Sequence, residues 1–562
     1  MEKIWLKSYP PGVSPEVGEP QFRSLRDMIE HSFTEWPDNR AYTNMGTSLT
    51  YRELDRLSLE FAGYLQKTLG LTRGERVALM MPNILQYPVA LCGVFRAGLV
   101  AVNVNPLYTA RELEHQLKDS GAKAIVILEN FAHVLEEVLS ETAVKHIVTT
   151  GVGDLLAKPK GWIVNFVLRH VRRDVPSYSL PDSVGFRRAL KLGSSQSVED
   201  VELGYADIAF LQYTGGTTGI SKGAMLSHRN MVYNVEQSIE WQRDAYDGVE
   251  PIVAITSLPL YHIFSLQNNC LMMMAQGGEN VLITNPRDLP AFVKELGQHE
   301  FNFVTAVNTL FAGLMNTPGF ADLDFSHLKV CVGGGMAVQP AVAKQWAEIT
   351  GCEIAQGYGL TETSPSAVCN TVESTFSGSI GLPLPSTDVM IAGEDGNPLP
   401  IGETGEICIK GPQVMEGYWQ RPAETAEVML PGGWLRTGDI GRMDENGYTW
   451  IEDRKKDMIL VSAFNVYPNE IENVIVEMDG ILEAAAIGVP DEKTGEAVKV
   501  FAVRTDDNVT DQDVIDYCRD NLTNYKRPKE VEFREDLPKT NVGKILRRAL
   551  REEEVEKRAA QQ

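Results

Sequence analysis

The sequence contains few cysteines, and none of them has the paired spacing that binds zinc or builds a disulfide framework. Seven cysteines are scattered over 562 residues without a Cys-x-x-Cys pair. We therefore expect a reducing, cytoplasmic environment.

The chain also lacks any apolar run near the roughly 18 residues that a bilayer span requires. Its first residues lack the apolar region of a signal peptide.

Positive charge is scarce as well. Lysine and arginine number 52 against 76 acidic residues, which gives a net charge of −24. Such an acidic chain repels nucleic acid, which we exclude as a partner. An anionic ligand must then be held by local basic groups. With 43% hydrophobic and 23% charged residues, the chain is otherwise typical of a soluble globular protein large enough for several domains.

One segment is unusually rich in glycine and threonine and follows an apolar run at 208–211. It consists of Tyr213, Thr214, Gly215, Gly216, Thr217, Thr218, Gly219, Ile220, Ser221, Lys222 and Gly223. Glycines let backbone N–H groups approach a ligand, and the threonines and lysine add donors and charge. The segment departs from the usual nucleotide loop, because Lys222 follows Ser221 instead of preceding a Ser or Thr. It predicts a polyphosphate site, and a flexible surface loop is the alternative.

Apolar runs alternate with helical patterns on both sides of this segment. Capping boxes at Thr50 and Thr109 predict helices over 51–69 and from 110 to Gly121. This alternation indicates an α/β fold with mostly parallel sheets covered by helices on both faces. The predicted strands are 76–81, 99–103, 124–128, 146–149, 253–258, 303–307 and 328–332.

The pattern of predicted secondary structure changes near residue 387. Short strands with frequent glycine turns predict a β-rich subdomain up to about 454. The residues that follow predict a small α+β unit, with a helix that begins at Pro468 and another over 511–521. The chain therefore divides into a large α/β part, a β-rich subdomain and a small terminal domain.

Two further segments combine turns with polar groups. Three glycines at 333–335 follow a predicted strand and allow a flat group to approach, although a tight strand-to-helix turn explains them equally well. Tyr358, Thr361, Glu362 and Thr363 crowd one turn. The ring could stack on a base and the carboxylate could hold Mg²⁺, whereas a polar surface loop is the simpler interpretation.

Four single residues are candidates for the binding site, but their residue types alone do not distinguish a functional role from a structural one. Asp439 and Arg454 could hold a ribose, or could be a satisfied turn and a surface charge. His262 lies among aromatic residues, where a structural histidine is the commoner case. Lys544 follows proline and glycine in a loop, and a solvated lysine is the usual outcome for such a residue.

The segment 161–173 is apolar first and basic last. As a helix it places Trp162, Phe166 and Arg169 on one side, with a cationic end. A packed helix with a solvated basic tip is the simpler interpretation. Peripheral contact with the anionic inner face of the cytoplasmic membrane is the alternative.

Taken together, these motifs resemble those of the acyl-adenylate-forming enzymes, which include acyl-CoA ligases, firefly luciferase and peptide-synthetase adenylation domains. Within this superfamily the chain is most similar to bacterial long-chain fatty acid–CoA ligases. The resemblance spans nearly the whole chain. Its specific motifs are 213–223, 358–363 and 432–456, the last of which matches the fatty acid–CoA ligase signature.

The resemblance implies two half-reactions with fatty acid, ATP and CoA as substrates and Mg²⁺ as cofactor. It implies that the segment 213–223 wraps the β- and γ-phosphates of ATP. The implied catalytic residues are Lys544, Glu362, His262 and Thr361. Thr214 and Glu362 are the implied magnesium ligands, and the implied contacts to adenine and ribose are Gly334, Gly335, Tyr358, Asp439 and Arg454.

The same resemblance implies a moving terminal domain. Residues 1–454 form the large AMP-binding domain, with 387–454 as its β-rich subdomain, and residues 457–562 form the mobile domain. The hinge lies at Lys455 and Lys456. Lys544 must be present for the first half-reaction and absent for the second.

Two alternatives remain at this point, namely acyl transfer to a carrier protein and a non-catalytic acyl or nucleotide sensor. The sequence also leaves open whether the chain forms a homodimer. Two positions depart from the family pattern. Ala463 stands where relatives usually carry glycine, and Leu266 lies near the position of an aromatic gate in some long-chain enzymes.

Overall fold

The structure is a computed structural model that describes residues 2–214, 221–462, 464–491, 493–540 and 543–561. Residues 215–220 of the glycine-rich segment and Ala463 therefore lie outside the described residues. Within those ranges the strands form four sheets. The predicted α/β class with large parallel sheets and a β-rich subdomain is confirmed.

In the part of the chain that the structure describes, the first sheet has seven strands, and its last two flank the glycine-rich segment. Its strands, from edge to edge, are Val184–Gly185, His146–Thr150, Ala124–Leu128, Arg76–Met80, Val100–Asn103, Ile208–Thr214 and Lys222–Ser227. Neighbours are parallel except for the last pair, which is antiparallel and sets Thr214 opposite Lys222. Every residue of Ala124–Leu128 is buried, as expected for a strand covered on both faces.

The second sheet carries most of the candidate site. Its strands, from edge to edge, are Leu382–Pro383, Ser366–Cys369, Ile354–Gly359, Val330–Gly333, Phe303–Ala306, Val253–Thr256, Glu279–Leu282, Arg40–Asn44 and Thr47–Thr50. The strands from Ile354–Gly359 to Arg40–Asn44 are parallel to one another. Their carboxyl ends therefore meet at one edge of the sheet.

Helices cover both sheets. They are Leu25–Glu35, Tyr51–Gly63, Gln86–Arg96, Ala110–Ser120, Ala132–Val138, Lys160–Phe166, Phe186–Gly193, His228–Gln242, Ile263–Ser265, Met272–Ala275, Leu289–Leu296, Asn308–Met315 and Pro340–Thr350. The capping boxes at Thr50 and Thr109 are both formed. Gly121 ends its helix with a φ of +60°, in the left-handed conformation that glycine adopts without strain.

The first of these capped helices is shorter than the sequence predicts. The α-helix ends at Gly63 and continues as a π-helical turn over Tyr64–Thr68. The helix Phe186–Gly193 packs against it so closely that a Cβ on Gly193 would lie 1.8 Å from the carbonyl oxygen of Glu60. The change from α-helical to π-helical hydrogen bonding lies beside this contact, and the local sequence reveals neither.

The segment 161–173 is helical, but only part of it is packed. It forms the helix Lys160–Phe166 and a π-helical turn over Val167–Val171. On one side its apolar side chains are exposed, with Trp162 at 59%, Ile163 at 58% and Phe166 at 60%. On the other side of the segment, Val164 and Leu168 pack against the large hydrophobic core. The segment is therefore packed on one face only, and the apolar side chains of its other face are exposed.

The third sheet is antiparallel and corresponds to the β-rich subdomain. Its strands are Asp388–Ala392, Gly405–Lys410, Trp434–Met443 and Met429–Leu430, with Thr449–Arg454 paired to Trp434–Met443. The helix Pro422–Val428 lies between its strands in the chain. Asp439 lies within the strand Trp434–Met443, in the subdomain that the sequence predicts to consist of short strands and glycine turns.

The residues after Lys456, named the terminal unit from this point, form the fourth sheet. Its strands are Phe464–Val466, Ile459–Val461, Gly495–Arg504 and Ile481–Asp491, with Glu530–Phe533 paired to Gly495–Arg504. Its helices are Pro468–Val476, Asp511–Asn521 and Arg547–Gln561. Lys455 and Lys456 connect the third sheet to the fourth, and their role as a hinge remains a prediction.

The cysteines and the helices can be compared with the expectations about disulfides and membrane spans. All seven cysteines are buried free thiols. Among the helices of the described residues, none has both the length and the apolar character required to cross a bilayer.

Candidate active site

Neighbouring parallel strands of the second sheet bring distant motifs to one edge. His262 follows Val253–Thr256, Thr309 follows Phe303–Ala306, Gly334 follows Val330–Gly333, and Tyr358 lies near the end of Ile354–Gly359. The crevice at the carboxyl ends of parallel strands is the usual ligand site of open α/β sheets. The sheet order therefore explains why residues so far apart in the chain converge.

Tyr358, Asp439 and Arg454 form one connected unit. The Tyr358 hydroxyl donates a hydrogen bond of 2.7 Å to Asp439 Oδ2, and Arg454 Nε lies 3.1 Å from Asp439 Oδ1. Asp439 and Arg454 are partners across adjacent antiparallel strands. Burial opposes the charge of Arg454, but the carboxylate of Asp439 raises the pKa of the guanidinium above its ordinary value. Tyr358, Asp439 and Arg454, which are predicted to bind adenosine, are thus connected to one another directly.

Glu362 lies in a short helical turn, Thr361–Thr363, that follows the strand of Tyr358. Its Oε1 accepts a hydrogen bond of 2.7 Å from the Tyr418 hydroxyl. The Lys222 ammonium lies 5.2 Å from the centre of the same Tyr418 ring. Tyr418 therefore joins the predicted magnesium carboxylate to the predicted phosphate-binding lysine.

The sequence analysis missed Tyr418. The residue lies in a loop between strands of the third sheet and bridges Ala224, next to the end of the glycine-rich segment. An available signal was the cluster of glycine and aromatic residues at 417–419. Its partner Glu362 is distant in sequence, so the sequence did not reveal the contact.

The described residues supply oxygen ligands but no complete metal site. Among them, no group of three or more His, Cys, Asp or Glu side chains could hold a metal ion. The Glu362 carboxylate and the Thr214 hydroxyl are the hard oxygen donors that Mg²⁺ takes. Mg²⁺ usually keeps several waters and binds through one or two carboxylates together with substrate phosphates. These residues therefore fit a magnesium ion that arrives with a nucleotide.

The glycine-rich segment is described only at its ends. Gly215, Gly216, Thr217, Thr218, Gly219 and Ile220 lie outside the described residues, so their predicted contacts remain predictions. The Tyr213 hydroxyl donates a hydrogen bond of 2.7 Å to Asp119 Oδ2, and its ring would lie 3.1 Å from a Cβ on Gly223. The Ser221 carbonyl oxygen lies 2.9 Å from His115 Nε2. Tyr213 is therefore held by Asp119, and its hydroxyl is already engaged.

The glycines at 333–335 form a tight turn. Gly335 has a φ of +76°, and a Cβ on Gly334 would lie 3.0 Å from the ring of Phe264 and 3.3 Å from the Gly357 carbonyl oxygen. Close packing alone therefore explains Gly334. The approach of an adenine ring to this turn remains a prediction.

Lys544 is carried to the same edge by a turn of the terminal unit. Its N–H donates to Thr540 Oγ1 at 3.0 Å, and the Thr540 N–H donates to its carbonyl oxygen at 2.7 Å. The adjacent Gly543 has a φ of +83°, and a Cβ there would lie 2.6 Å from Thr309 Oγ1. The terminal unit thus contacts, directly beside Lys544, the helix Asn308–Met315 that follows the strand Phe303–Ala306 of the second sheet.

The charges at this edge depend on one another. Burial and the nearby guanidinium of Arg454 lower the pKa of Lys544 to about 8. Burial and the charge of Lys544 lower the pKa of His262 to about 4. At neutral pH, Lys544 is therefore mostly a cation and His262 is neutral. Arg454 and Arg547 oppose the charge of Lys544, while Asp439 and Asp457 support it. An anion bound beside Lys544 would stabilise its charged form.

The residues of the predicted hinge and gate are also placed. Lys455 Nζ lies 3.4 Å from Glu406 Oε2, and burial together with Arg454 lowers the pKa of Lys456 to about 8. Leu266 is fully buried at the start of a π-helical turn, Leu266–Leu271. Neither observation tests movement.

The chain resembles known proteins over nearly its whole length. The AMP-binding enzyme family matches residues 29–419, and the AMP-binding enzyme C-terminal domain matches residues 470–544. The chain is 54% identical to a long-chain-fatty-acid–CoA ligase of Escherichia coli O6:H1 over 98% of both chains. It is 53% identical to one of Haemophilus influenzae over 99% of this chain and 100% of that one.

Solved structures agree with these relatives. A crystal structure of ATP-bound MatB from Rhodopseudomonas palustris is 27% identical, covers 94% of this chain and 98% of that chain, and has a TM-score of 0.80. Fold, motifs and full-length similarity thus lead to the same result. The chain belongs to the AMP-binding enzyme family, the acyl-adenylate-forming superfamily that its motifs resemble.

Proposed function

We propose that this chain is an AMP-forming long-chain fatty acid–CoA ligase. The observation that carries the proposal is the contact of Gly543, next to Lys544, with Thr309 at the carboxyl ends of the strands. Lys544 is there near enough to His262 and Arg454 for the charges to shift the pKa values of Lys544 and His262. The full-length similarity to long-chain-fatty-acid–CoA ligases supports the choice of substrates.

In the first half-reaction, a carboxylate oxygen attacks the α-phosphorus of ATP, and the bond to the pyrophosphate oxygen breaks. The products are acyl-AMP and pyrophosphate. The difficulty is the approach of two anions, which cations and donors must offset. Lys544 bridges the carboxylate and the α-phosphate, while Asp439 accepts from the ribose hydroxyls, Arg454 contacts the same sugar, and Tyr358 stacks on the adenine with Gly334 and Gly335 opposite.

The phosphates beyond the α-position need their own partners. The segment 213–223 wraps the β- and γ-phosphates, and Lys222 supplies its positive charge. Glu362 and Thr214 would hold the magnesium ion, which would neutralise charge on the phosphate oxygens. Tyr418 fixes the orientation of the Glu362 carboxylate through its hydrogen bond. Thr361 lies next to it in the same turn.

In the second half-reaction, the thiol of CoA loses its proton to solvent and its sulfur attacks the acyl carbonyl. The bond from that carbon to the phosphate oxygen of AMP then breaks. The acyl-CoA and AMP then leave. A neutral His262 lines the acyl group without repelling or attracting the thiol. Lys544 must withdraw, so we propose that the terminal unit, residues 457–562, turns about Lys455 and Lys456 relative to residues 1–454.

The experiment that tests this function measures the products of palmitate and ATP with and without CoA. We expect pyrophosphate and enzyme-bound palmitoyl-AMP without CoA, and continued release of AMP and palmitoyl-CoA with it. Turnover that requires a phosphopantetheine carrier protein instead of CoA would favour the carrier alternative. Binding of ATP without any AMP formation from any fatty acid would reject catalysis altogether.

The lowered pKa of Lys544 predicts how adenylation depends on pH. The ammonium is the active form, so kcat/KM for pyrophosphate release without CoA should fall as pH rises through about 8. His262 should contribute no step between pH 5 and 8, because its pKa is lowered to about 4. Lys456 also has a pKa near 8, which makes Lys456→Gln the necessary control. A profile without this decline, or one that Lys456→Gln abolishes, would contradict the assignment to Lys544.

We also propose that the segment 161–173 binds the anionic inner face of the cytoplasmic membrane. Trp162, Ile163, Phe166 and Val171 expose their apolar side chains. Arg172 and Arg173 follow at its basic end. Apolar residues flanked by cations are the pattern of interfacial helices. Peripheral binding and a cytoplasmic location both remain proposals.

Arg169 has a different role from its basic neighbours. Its Nε lies 3.0 Å from Glu129 Oε1, and the carboxylate of Glu129 is buried. Neutralising Arg169 would leave that carboxylate without its partner, which destabilises the fold. A test of membrane binding should therefore leave Arg169 unchanged.

The suitable variant combines Trp162→Ser, Phe166→Ser, Arg172→Gln and Arg173→Gln. We expect its binding to vesicles that contain phosphatidylglycerol to be weaker by at least about tenfold, since each cation near such a surface contributes on the order of 1 kcal/mol. Co-sedimentation measures this. Val555→Ser, at a residue 65% exposed on the terminal helix, is the control. Unchanged binding by the combined variant would reject this surface.

A further inference from the structure

A buried carboxylate lies where the terminal unit meets the third sheet, outside the proposed substrate contacts. Asp453 precedes Arg454 in its strand, and its side chain is fully buried. Its Oδ2 accepts a hydrogen bond of 2.8 Å from the Asn469 N–H, and its Oδ1 lies 3.0 Å from Arg547 Nη1. The Arg454 N–H of the same strand also donates to Oδ1, at 2.7 Å, but the two donors Asn469 and Arg547 belong to the terminal unit. The carboxylate therefore depends on contacts that cross Lys455 and Lys456.

Arg547 is the centre of an ion network within the terminal unit. Its Nε and Nη2 lie 2.8 Å and 2.6 Å from the two oxygens of Glu472. Its Nη1 also lies 3.5 Å from Asp457 Oδ2, and Asp457 pairs with Arg551. This bidentate geometry fixes the guanidinium firmly. Asp453 joins the network from the third sheet.

Arg547 is also close to Lys544 along the chain. It begins the helix Arg547–Gln561, and the intervening Leu546 N–H donates to the Pro538 carbonyl oxygen at 2.7 Å. The turn that presents Lys544 and the network that holds Arg547 are thus parts of one short, hydrogen-bonded segment. A shift of Arg547 away from Asp453 must displace Lys544 as well.

We propose that Asp453 and Arg547 form a latch that positions Lys544 for adenylation. The inference rests on the proposed function, in which the terminal unit turns between half-reactions. During that turn Asp453 stays with the strand of Arg454, whereas Asn469 and Arg547 move. The latch must then break. Because separating a buried ion pair leaves charges that need new partners, the latch favours the arrangement that places Lys544 in the site.

The burial of Asp453 strengthens this argument. Burial raises the pKa of Asp453 to about 6, although the charge of Arg547 opposes the rise. The ionised carboxylate is thus costly without its cation. Asp453 and Arg547 touch no residue of the proposed substrate site except through their chain neighbours, and we class both as positioning residues.

The test measures the two half-reactions separately in Asp453→Asn and Arg547→Gln. Adenylation, followed as pyrophosphate release without CoA, should slow about tenfold in each variant. Thioester formation from preformed palmitoyl-AMP and CoA should be retained or become faster. The double variant should be no slower than the slower single variant, because both changes remove the same contact. Arg547→Lys keeps a cation and should give an intermediate ratio, which preserves the test if Asp453→Asn fails to fold.

Lys499→Met is the matched control. Lys499 is buried in an ion cluster inside the terminal unit, 2.7 Å from Glu554 and 2.9 Å from Glu532. Its loss should lower the thermal stability without changing the ratio of the half-reactions. Equal loss of both half-reactions in the latch variants, or the same ratio change in Lys499→Met, would overturn the latch. Failure of the unaltered enzyme to form AMP would instead overturn the proposed function.

Discussion

Replacing Lys544 with alanine should slow acyl-adenylate formation by about two to three orders of magnitude, the usual cost of removing one group that stabilises transition-state charge. Arg454 remains in such a variant, but it is held by Asp439 at 3.1 Å. The site would therefore lose the cation that we assign to both the carboxylate and the α-phosphate. Rapid-quench measurement of palmitoyl-AMP from palmitate and ATP gives the rate directly.

The second half-reaction separates this role from general damage. Palmitoyl-AMP and CoA should still yield palmitoyl-CoA at close to the unaltered rate in Lys544→Ala, since Lys544 has withdrawn in that step. Lys539→Ala is a matched control in the same turn, because Lys539 is paired with Glu483 at 2.8 Å and is given no catalytic role. Equal loss of both half-reactions in Lys544→Ala would contradict the role assigned to the lysine.

Replacing Glu362 with glutamine should lower kcat/KM for magnesium ATP by about a hundredfold, a loss comparable with that of one electrostatic contact in a closed site. Glutamine keeps the shape and an acceptor for the Tyr418 hydroxyl, which lies 2.7 Å from Glu362 Oε1. It removes the negative charge that a hard cation requires. A titration of pyrophosphate release against magnesium at fixed ATP measures the change, and the half-saturating magnesium concentration should rise.

Two further variants separate charge from position in this prediction. Tyr418→Phe removes the hydrogen bond to Glu362 but leaves the carboxylate, so we expect a smaller loss of about tenfold. Glu424→Gln changes a surface acid in the helix Pro422–Val428 and should have no effect. If Glu362→Gln leaves the magnesium dependence unaltered, Glu362 does not hold the metal.

Local signals predicted those elements whose ends are determined by neighbouring residues. The strand Ala124–Leu128 and the helix Asp511–Asn521 have the predicted bounds, because an apolar run and a capping box need no distant partner. The segment predicted as a helix over 51–69 is helical to Thr68, but its α-helical part ends at Gly63, beside a contact with Gly193. The local sequence does not reveal that contact.

The candidate site likewise has features that the sequence predicts and features that depend on tertiary contacts. The motif residues Tyr358, Asp439 and Lys544 were identified from their resemblance to a family, whereas their convergence depends on the order of strands in the second sheet. Tyr418 and Asp453 acquire their importance from partners far along the chain. Asp453 lies within the signature 432–456, but its pairing with Arg547, like the pairing of Tyr418 with Glu362, required the tertiary arrangement.

Selective labelling of lysine amines tests the account most directly, because it follows Lys544 through the reaction. We predict that Lys544 is protected from acetic anhydride when the enzyme holds palmitate with a non-hydrolysable ATP analogue. It should become reactive when the enzyme holds a stable acyl-AMP analogue and CoA. Lys539, in the same turn, serves as the internal reference. Equal labelling of Lys544 in both states would contradict a lysine that enters the site for one half-reaction and leaves it for the other.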